Sequence, residues 1–320
     1  MKYYSKEDIE KSVCMKEVIE AVKQAFSMTE KGMIDTPLRT VIKTANGSLL
    51  FMPAYCAELG LAVLKSVNVF PCNAEAGLST TPAEILLIDA TTGYSLAMLD
   101  GTHVTRLRTG AASGAAFDVL ARKDCRKGAL IGTGGQAEAQ LEAMMTARSL
   151  KEVSIFSPNR EKCMAFVERM TAKFASCGVS IKCAESADKC VEDADLIITV
   201  TTAENPVFDG KLVKKGATVS CVGTYEPNKH EIDPALIVRA DKIFCDYKEA
   251  VLSESGDVLI PISQGLITAD DICGGLGEVI NGTLPGREND DEIIVFETVG
   301  IAAQDLIASG TIYDRITSAN

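Results

Sequence analysis

A glycine-rich segment, Gly132-Thr133-Gly134-Gly135-Gln136-Ala137, has the residue types and spacing that most clearly indicate chemistry. It follows a short apolar run at 129–131 and precedes a stretch rich in Ala, Glu and Gln, so it is predicted to join a strand to a helix. In that setting Gly132 permits a tight turn, Gly134 lets a pyrophosphate approach the backbone, and Ala137 lets the helix pack closely. The helix N-terminus adds unpaired N–H groups. The segment is predicted to bind a dinucleotide; the alternative is a plain strand-to-helix turn.

The residues after the next predicted strand bear on the choice of dinucleotide. NAD sites place an Asp or Glu there, which binds the ribose 2′-hydroxyl. Here the strand at 152–156 is followed by Ser157-Pro158-Asn159-Arg160, which contains no acid. The hydroxyl, amide and guanidinium of Ser157, Asn159 and Arg160 suit a 2′-phosphate. The sequence therefore favours NADP(H) over NAD(H); the alternative is that Arg160 only opens the next helix and either dinucleotide binds.

Other residues with acid–base or metal-binding chemistry lack a supporting pattern. Histidines often act as acids or bases near neutral pH, but neither His103 nor His230 lies in a motif. The 11 Cys include no C-x-x-C pair, so neither a metal site nor a redox motif is predicted. We expect reduced, mostly buried thiols in a cytoplasmic protein.

Composition and charge exclude some classes of partner. A formal net charge of -12 argues against the clustered Lys and Arg that bind a nucleic acid backbone. No apolar run approaches the roughly 20 residues that cross a bilayer. The N-terminus lacks the basic-then-apolar layout of a secretory signal. We therefore expect a small-molecule substrate and neither nucleic acid nor membrane as partner. A chain of 320 residues, 47% hydrophobic, favours two domains.

Hydrophobic spacing predicts a mixed α+β region in the first third of the chain. Residues 5–30 are predicted as one amphipathic helix, with Ser5 as N-cap and Gly32 beyond its end. The pattern then changes to a mostly antiparallel sheet fronted by that helix. Its strands are predicted at 40–42, 48–52, 62–69, 84–89 and 95–99. A helix of small residues is predicted at 105–120.

After residue 127 strands and helices alternate, which is typical of a parallel sheet with crossover helices. Strands are predicted at 128–131, 152–156, 196–200, 218–222 and 243–245, and helical stretches near 138–148, 160–175 and 211–213. The tail at 293–306 is predicted as a helix that returns to the first domain. The predicted fold class is α/β, a Rossmann-type doubly wound parallel sheet plus an N-terminal α+β substrate and dimerisation domain.

Several stretches, taken in order, carry a family resemblance. They are Pro37-Leu38-Arg39, Phe51-Met52-Pro53, residues 64–68, residues 105–111, the Gly132 turn, Ala194-Asp195, residues 277–282 and residues 295–300. Together they resemble the ornithine cyclodeaminase/mu-crystallin family over nearly the whole chain. The resemblance implies a homodimer whose active site lies in a cleft between two domains. We expect a substrate-binding and dimerisation domain at 1–113, joined by a C-terminal helix at 301–320, and an NAD(P)-binding domain at 114–300.

The resemblance also implies roles for individual residues. Arg39, Lys65 and Arg108 are expected to contact the substrate, because an α-carboxylate needs a planar bidentate donor or a point cation. The alternative for each is a surface salt bridge. A further substrate contact is expected at Lys229. Dinucleotide contacts are implied at Thr80, Gly135, Gln136, Ser157, Thr201 and Thr298, alongside Gly132, Gly134, Asn159 and Arg160 from the motifs.

Two departures from the family pattern affect the predicted reaction. Cyclodeaminases carry a carboxylate at the position of Tyr225 and a Glu at the position of Leu50. Cyclodeamination needs a general base that takes a proton from the side-chain amine. Neither Tyr225 nor Leu50 supplies one at neutral pH, although Glu226 is adjacent in sequence. We therefore predict net hydride transfer on the C=N or CH–NH bond of a small imino or amino acid.

In the predicted reaction, Arg39 and Arg108 hold the substrate carboxylate and Lys65 donates a proton or orients water. Glu297 is a candidate group for the substrate nitrogen; alternatively, it caps or salt-bridges within the returning helix. Asp305 is expected to be structural. Two other functions remain open: an ornithine cyclodeaminase that recycles bound NAD, and a crystallin-like binding protein without catalysis.

Overall fold

A computed structural model describes residues 1–318 of the chain. Its strands are β1 (Lys2–Tyr4), β2 (Ile34–Asp35), β3 (Thr40–Lys43), β4 (Ser48–Cys56), β5 (Leu61–Val69), β6 (Ala83–Asp89), β7 (Ser95–Asp100), β8 (Lys127–Ile131), β9 (Glu152–Phe156), β10 (Ser180–Cys183), β11 (Leu196–Thr199), β12 (Thr218–Cys221), β13 (Lys242–Cys245), β14 (Ile272–Gly275) and β15 (Ile294–Glu297). Its helices are α1 (Lys6–Ser12), α2 (Met15–Glu30), α3 (Gly101–Leu120), α4 (Ala137–Ala147), α5 (Arg160–Lys173), α6 (Ala187–Val191), α7 (Pro234–Arg239), α8 (Lys248–Glu254), α9 (Gly256–Ser263), α10 (Leu276–Asn281) and α11 (Ala302–Ser318). Short 3₁₀ turns lie at Pro71–Ala76, Ala175–Cys177, Gly210–Leu212 and Ala269–Asp271. Among these helices, none combines the length and the apolar character needed to cross a membrane.

The chain divides into two compact units. The first contains Met1–Arg108 and the chain from Gly300 onward, and the second contains Thr109–Val299. The C-terminal segment expected as a helix at 301–320 is α11, described as far as Ser318, and its last two residues lie outside the described part. The substrate-binding and dimerisation role of the first unit stays a prediction.

The first unit is built on a sheet with strand order β1-β7-β6-β5-β4-β2, with β3 also paired to β4. All pairs are antiparallel except β1 with β7. Helix α11 packs against β4, β5 and β6 and against α2. The sheet is therefore covered by α11 as well as by the N-terminal helical segment predicted for that place.

The N-terminal segment at 5–30 was predicted as one helix, and this is wrong. Ser5 is the N-cap of α1, as predicted, and it forms a capping box with Asp8. Val13 and Cys14 then adopt extended backbone, and α2 restarts with Glu17 accepting a hydrogen bond from the backbone N–H of Cys14. A second capping pattern therefore divides the segment into two helices. The spacing of the apolar residues does not reveal this break.

The second unit is a parallel sheet with strand order β10-β9-β8-β11-β12-β15-β13-β14. Its central strands β8 and β11 are mostly apolar, and all of their residues except Lys127 are buried, as a doubly wound sheet requires. Helix α3 approaches α4 so closely that a Cβ added to Gly110 would lie 2.5 Å from the carbonyl oxygen of Ala139. The prediction of a Rossmann-type α/β fold is confirmed.

The tail at 293–306 was predicted as a continuous helix, and this is wrong in its first half. Residues 294–297 form β15, which is buried and pairs with both β12 and β13. Gly300, with φ of 77°, then turns the chain, and α11 begins at Ala302. A short apolar run fits a buried strand as well as a helix, and only its sheet partners decide.

Candidate active site

Lys65 and Arg108 share one buried carboxylate in the first unit. Lys65 lies on β5 with no exposed surface, and its Nζ donates to Asp305 Oδ2 at 2.5 Å. Arg108 lies on α3, and its Nε donates to Asp305 Oδ1 at 3.0 Å. Asp305, in the first turn of α11, is also fully buried. The residue expected to be structural therefore binds both cations directly.

The turn that precedes α11 positions Arg39, the third cation. The carbonyl oxygen of Gly300 accepts a hydrogen bond from Arg39 Nη2 at 2.7 Å. Gln304 Oε1 accepts from Arg108 Nη1 at 3.2 Å and from the backbone N–H of Ile301 at 3.0 Å. Residues 300–305 thus bring together Arg39, Lys65 and Arg108, three residues expected to contact the substrate. The ion pairs of Lys65 and Arg108 with Asp305 are buried, so neither is a surface salt bridge.

The charge balance of this cluster favours an anion. Burial and, after it, the charge of Arg108 lower the pKa of Lys65 to about 7, and the Asp305 carboxylate opposes this decrease. Two cations therefore share a single negative charge in a poorly solvated place, where electrostatic interactions are strong. Within residues 1–318, Arg108 Nη2 makes no hydrogen bond, and Asp305 is the hydrogen-bond acceptor of Lys65. Donors remain available for a small carboxylate.

The Gly132 turn in the second unit has the geometry of a phosphate-binding loop. It leaves β8 at Gly132, whose φ is 114° and whose added Cβ would lie 2.4 Å from the carbonyl oxygen of Val200. An added Cβ on Gly134 would meet no atom within 4 Å. Gln136 precedes α4 without capping it through its side chain, and its buried Oε1 has no hydrogen-bond partner among residues 1–318. The N-terminus of α4 thus faces open space, and an unpaired amide oxygen lies next to it. This arrangement fits the pyrophosphate of a dinucleotide.

The segment after β9 contains no acid that could bind a ribose 2′-hydroxyl. Asn159 caps α5, its Oδ1 accepting from the backbone N–H of Lys162 at 2.9 Å. Arg160 is exposed in the first turn of α5, and Ser157 is half-buried. The guanidinium of Arg160 and the hydroxyl of Ser157 therefore lie beside the N-terminus of α5.

The other residues expected to contact the dinucleotide or substrate are more dispersed. Thr80 is exposed in the loop before β6 of the first unit. In the second unit, Thr298 donates to Asp246 Oδ2 at 2.7 Å, and Thr201 follows β11. Lys229 pairs with Glu226 at 2.7 Å and with Glu204 at 3.7 Å. Lys229 is therefore paired with carboxylates of the second unit.

A group of buried carboxylates lies at the carboxyl edge of the parallel sheet, and sequence reasoning anticipated only Glu297. Glu297 ends β15 and accepts from Ser255 Oγ at 2.9 Å, so the alternative of a cap or ion pair in the returning helix is wrong. Glu231 accepts from the backbone N–H of Thr201 and of Gly223, at 2.8 and 2.7 Å. Asp257 accepts from the backbone N–H of Glu231. These acids hold the loops that follow β11 and β12.

Burial raises the pKa of all three carboxyls. That of Glu231 rises to about 7, with Asp257 as the second cause, and that of Asp257 rises to about 6. The pKa of Glu297 lies well above its ordinary value, first through burial and then through Asp257. Glu231 and Asp257 therefore titrate closer to neutral pH than exposed carboxyls do.

Comparisons with known proteins place this chain. The profile of the ornithine cyclodeaminase/mu-crystallin family matches residues 2–320. The chain belongs to that family. A Δ1-pyrroline-2-carboxylate reductase of Bacillus cereus is 37% identical over 307 residues, which are 95% of this chain and 93% of that protein.

Solved structures agree with this placement. The Δ1-pyrroline-2-carboxylate reductase of Thermococcus litoralis, in complex with NADH and L-proline, is 38% identical, with a TM-score of 0.95 over 100% of this chain and 98% of that one. An archaeal alanine dehydrogenase dimer with bound NAD is 32% identical, with a TM-score of 0.91 over 99% and 96% of the two chains. The predicted membership of this family and the predicted class, an oxidoreductase, are confirmed.

Two positions were expected to distinguish this chain from the cyclodeaminases, and that expectation stays a prediction. Tyr225, where a carboxylate was expected for that activity, is 37% exposed in the loop after β12. Leu50, where a Glu was expected, is buried in β4. Neither position provides a base.

Proposed function

We propose that this family member is an NAD(P)H-dependent reductase of small cyclic imino acids that bear a 2-carboxylate, and that it oxidises the corresponding amino acids in reverse. The observation that carries the proposal is the buried pair Lys65 and Arg108 on the single carboxylate of Asp305. Support for the substrate class comes from the two Δ1-pyrroline-2-carboxylate reductases, which match nearly the whole chain.

The substrate carboxylate would bind the guanidinium groups. Arg108 is fixed by Asp305 and Gln304 through Nε and Nη1, which leaves Nη2 for a ligand. Arg39 is held at its Nη2 by Gly300 and is half-buried. A planar, pre-oriented guanidinium loses little conformational entropy when it binds a carboxylate. Arg39 and Arg108 would therefore set the affinity for the imino acid.

Lys65 would supply the proton. Its lowered pKa, about 7, matches a general acid that operates near neutral pH. A bound dihydronicotinamide supplies the hydride for the imine carbon. As the Lys65 Nζ–H bond breaks, an N–H bond forms on the imine nitrogen. With the hydride that the dinucleotide would supply, this proton would complete the reduction of C=N to CH–NH and leave Lys65 neutral.

The test is NADPH and NADH oxidation against a panel of cyclic imino acids with five- and six-membered rings, and against pyruvate with ammonia. Turnover of a cyclic imino acid is expected, with a Lys65→Met variant reduced by at least 100-fold in kcat. Preferred turnover of pyruvate with ammonia would make the chain an alanine dehydrogenase instead. Proline and ammonia from ornithine without added cofactor would indicate a cyclodeaminase. Dinucleotide binding without any turnover would indicate a binding protein.

For the dinucleotide we propose a preference for NADP(H). The support is the exposed Arg160 and the absence of an acid between β9 and α5. The solved relatives were obtained with NADH and with NAD, so a dinucleotide of this type is the common element. Comparison of kcat/KM with NADPH and NADH is the test, and a higher value with NADH would overturn the preference.

Catalytic involvement of Glu297 stays a prediction. It is buried and accepts a hydrogen bond from Ser255, an interaction that a Gln side chain also makes. A Glu297→Gln variant with unchanged melting temperature and a kcat at least tenfold lower would support participation. An unchanged kcat would leave Glu297 with a structural role. For Lys229 the corresponding variant is Lys229→Met, for which a raised KM is expected.

We also propose a homodimer formed through the open face of the first sheet. Leu64 on β5 lies between Pro53 on β4 and Leu86 on β6, and Met98 on β7 continues the row. Leu64 is 39% exposed, although helices cover the opposite face. Such a row of apolar side chains is costly to leave in water. Light scattering of a Leu64→Lys variant should show a monomer, and Val238→Lys, at an exposed apolar site of the second unit, should not.

A cytoplasmic location is proposed as well. All 11 Cys are free thiols, which suits a reducing compartment. Fractionation of cells that express the protein with its natural termini tests this, and recovery with secreted proteins would refute it.

A further inference from the structure

Asp305 lies where it controls both the orientation and the charge of Lys65. Its two carboxylate oxygens are divided, Oδ2 accepting from Lys65 Nζ at 2.5 Å and Oδ1 from Arg108 Nε at 3.0 Å. All of these groups are buried. A carboxylate in such a position holds the ammonium in one rotamer and stabilises its charged form.

We propose that Asp305 is the positioning residue of the reduction, holding Lys65 in place and keeping the proton on it until the imine nitrogen accepts it. This inference rests on the proposed function. After proton transfer, Lys65 is neutral, and the unchanged negative charge of Asp305 favours its reprotonation from solvent. Asp305 itself exchanges no bond with the substrate.

The charged groups around Lys65 act in opposite directions. Arg108 and Arg39 disfavour the ammonium, whereas Asp305 is the carboxylate that favours it. Without Asp305, burial and two guanidinium groups would all favour neutral Lys65. The proton would then be absent at the pH where the reduction needs it.

The decisive variant is Asp305→Asn, which keeps the shape of the side chain and removes its charge. The reduction requires protonated Lys65, so its rate falls as pH rises through the Lys65 pKa. This fall is the alkaline limb of the pH–rate profile. Loss of the opposite charge of Asp305 should move it to lower pH by about 1–3 units. Activity should recover at acid pH, whereas a merely structural defect would lower kcat equally at every pH.

Gln304→Met provides the matched control. Gln304 contacts Arg108 but not Lys65 and occupies the same turn of α11. Its replacement should raise KM for the imino acid and leave the alkaline limb in place. The inference is overturned if Asp305→Asn keeps the wild-type limb, or if both variants shift it equally.

A direct titration separates this inference from the proposed function. In protein labelled with ¹³Cε-lysine, the NMR signal of Lys65 is identified by its absence in Lys65→Arg. Its midpoint should move down in Asp305→Asn, whether or not any imino acid is turned over. An unmoved midpoint refutes the role of Asp305, and absence of turnover by the wild type refutes only the proposed substrate.

Discussion

The backbone of Gly300 lies directly against the guanidinium of Arg108. A Cβ added to Gly300 would come within 2.5 Å of Arg108 Nη1, and the φ of Gly300 is 77°. The same glycine accepts the hydrogen bond from Arg39 through its carbonyl oxygen. One small residue therefore sets the position of two guanidinium groups, because any side chain would displace one of them.

Gly300→Ala should accordingly weaken substrate binding more than it weakens folding. The positive φ costs about 1 kcal/mol for Ala, and the new methyl group displaces Arg108. We expect KM for the imino acid to rise by about tenfold, the equivalent of about 1.4 kcal/mol. Steady-state kinetics and thermal unfolding measure the two effects.

Gly32→Ala is the control for backbone strain alone. Gly32 has φ of 67° in the same unit, and its added Cβ would meet no atom within 4 Å. We expect Gly32→Ala to lower the free energy of unfolding by a similar amount and to leave the KM for the imino acid unchanged. Equal KM values for the two variants would show that Gly300 does not position Arg108.

Substitution by Ala at two glycines of the Gly132 turn should have different effects, one on dinucleotide binding and the other on folding. At Gly134 a methyl group enters open space, so the melting temperature should hold while the dissociation constant for NADPH rises about tenfold or more. At Gly132 it would meet the carbonyl oxygen of Val200, so folding itself should suffer. NADPH fluorescence titration and thermal unfolding distinguish the two. Unaltered NADPH binding by Gly134→Ala would argue against a pyrophosphate at this turn.

Arg160→Glu should reverse the dinucleotide preference. A carboxylate repels a 2′-phosphate and accepts a hydrogen bond from a 2′-hydroxyl. The KM for NADPH should rise by at least tenfold, with no increase for NADH. Lys162→Glu makes the same change of charge at an exposed position two residues along α5 and should affect NADPH much less. Similar effects of both variants would reduce the role of Arg160 to long-range electrostatics.

The buried carboxyls of the second unit predict a stability that falls with pH. Glu231 has a folded pKa of about 7, above the ordinary value of 4.5 for Glu, so the native state holds a proton that the unfolded state releases between these values. The free energy of unfolding should decrease through that window, by about 1.4 kcal/mol per pH unit for one full proton. Asp257 and Glu297 contribute in the same direction.

Glu231→Gln cannot release this proton and should show a smaller loss of melting temperature between pH 5 and 8 than the wild type. Glu161→Gln, at an exposed position of α5, should keep the wild-type pH dependence. If the melting temperature of the wild type stays constant or rises between pH 5 and 8, the raised pKa values of these carboxyls are refuted.

Local signals in the sequence were sufficient for much of the architecture. The strand, glycine turn and helix at 127–147, the capping box at Ser5 and the strand at 152–156 depend on neighbours within a few residues, and each lies where it was predicted. Periodicity was insufficient at 5–30 and at 293–306. There a second N-cap and the pairing of β15 with β12 and β13 decided the outcome.

What the sequence determined by itself was the family and the Rossmann-type fold, since motif residues and short-range patterns carry that information, and the family resemblance drew attention to Arg39, Lys65 and Arg108. Only the tertiary structure revealed that Asp305 contacts Lys65, which lies 240 positions away in the sequence. In the sequence, Asp305 is one acidic residue within a predicted helix rich in small residues. It also revealed that Glu231 joins two loops that follow separate strands. The physical reason is burial: a carboxylate's hydrogen bonds, charge and proton depend on which distant groups exclude water from it, and no local pattern encodes that.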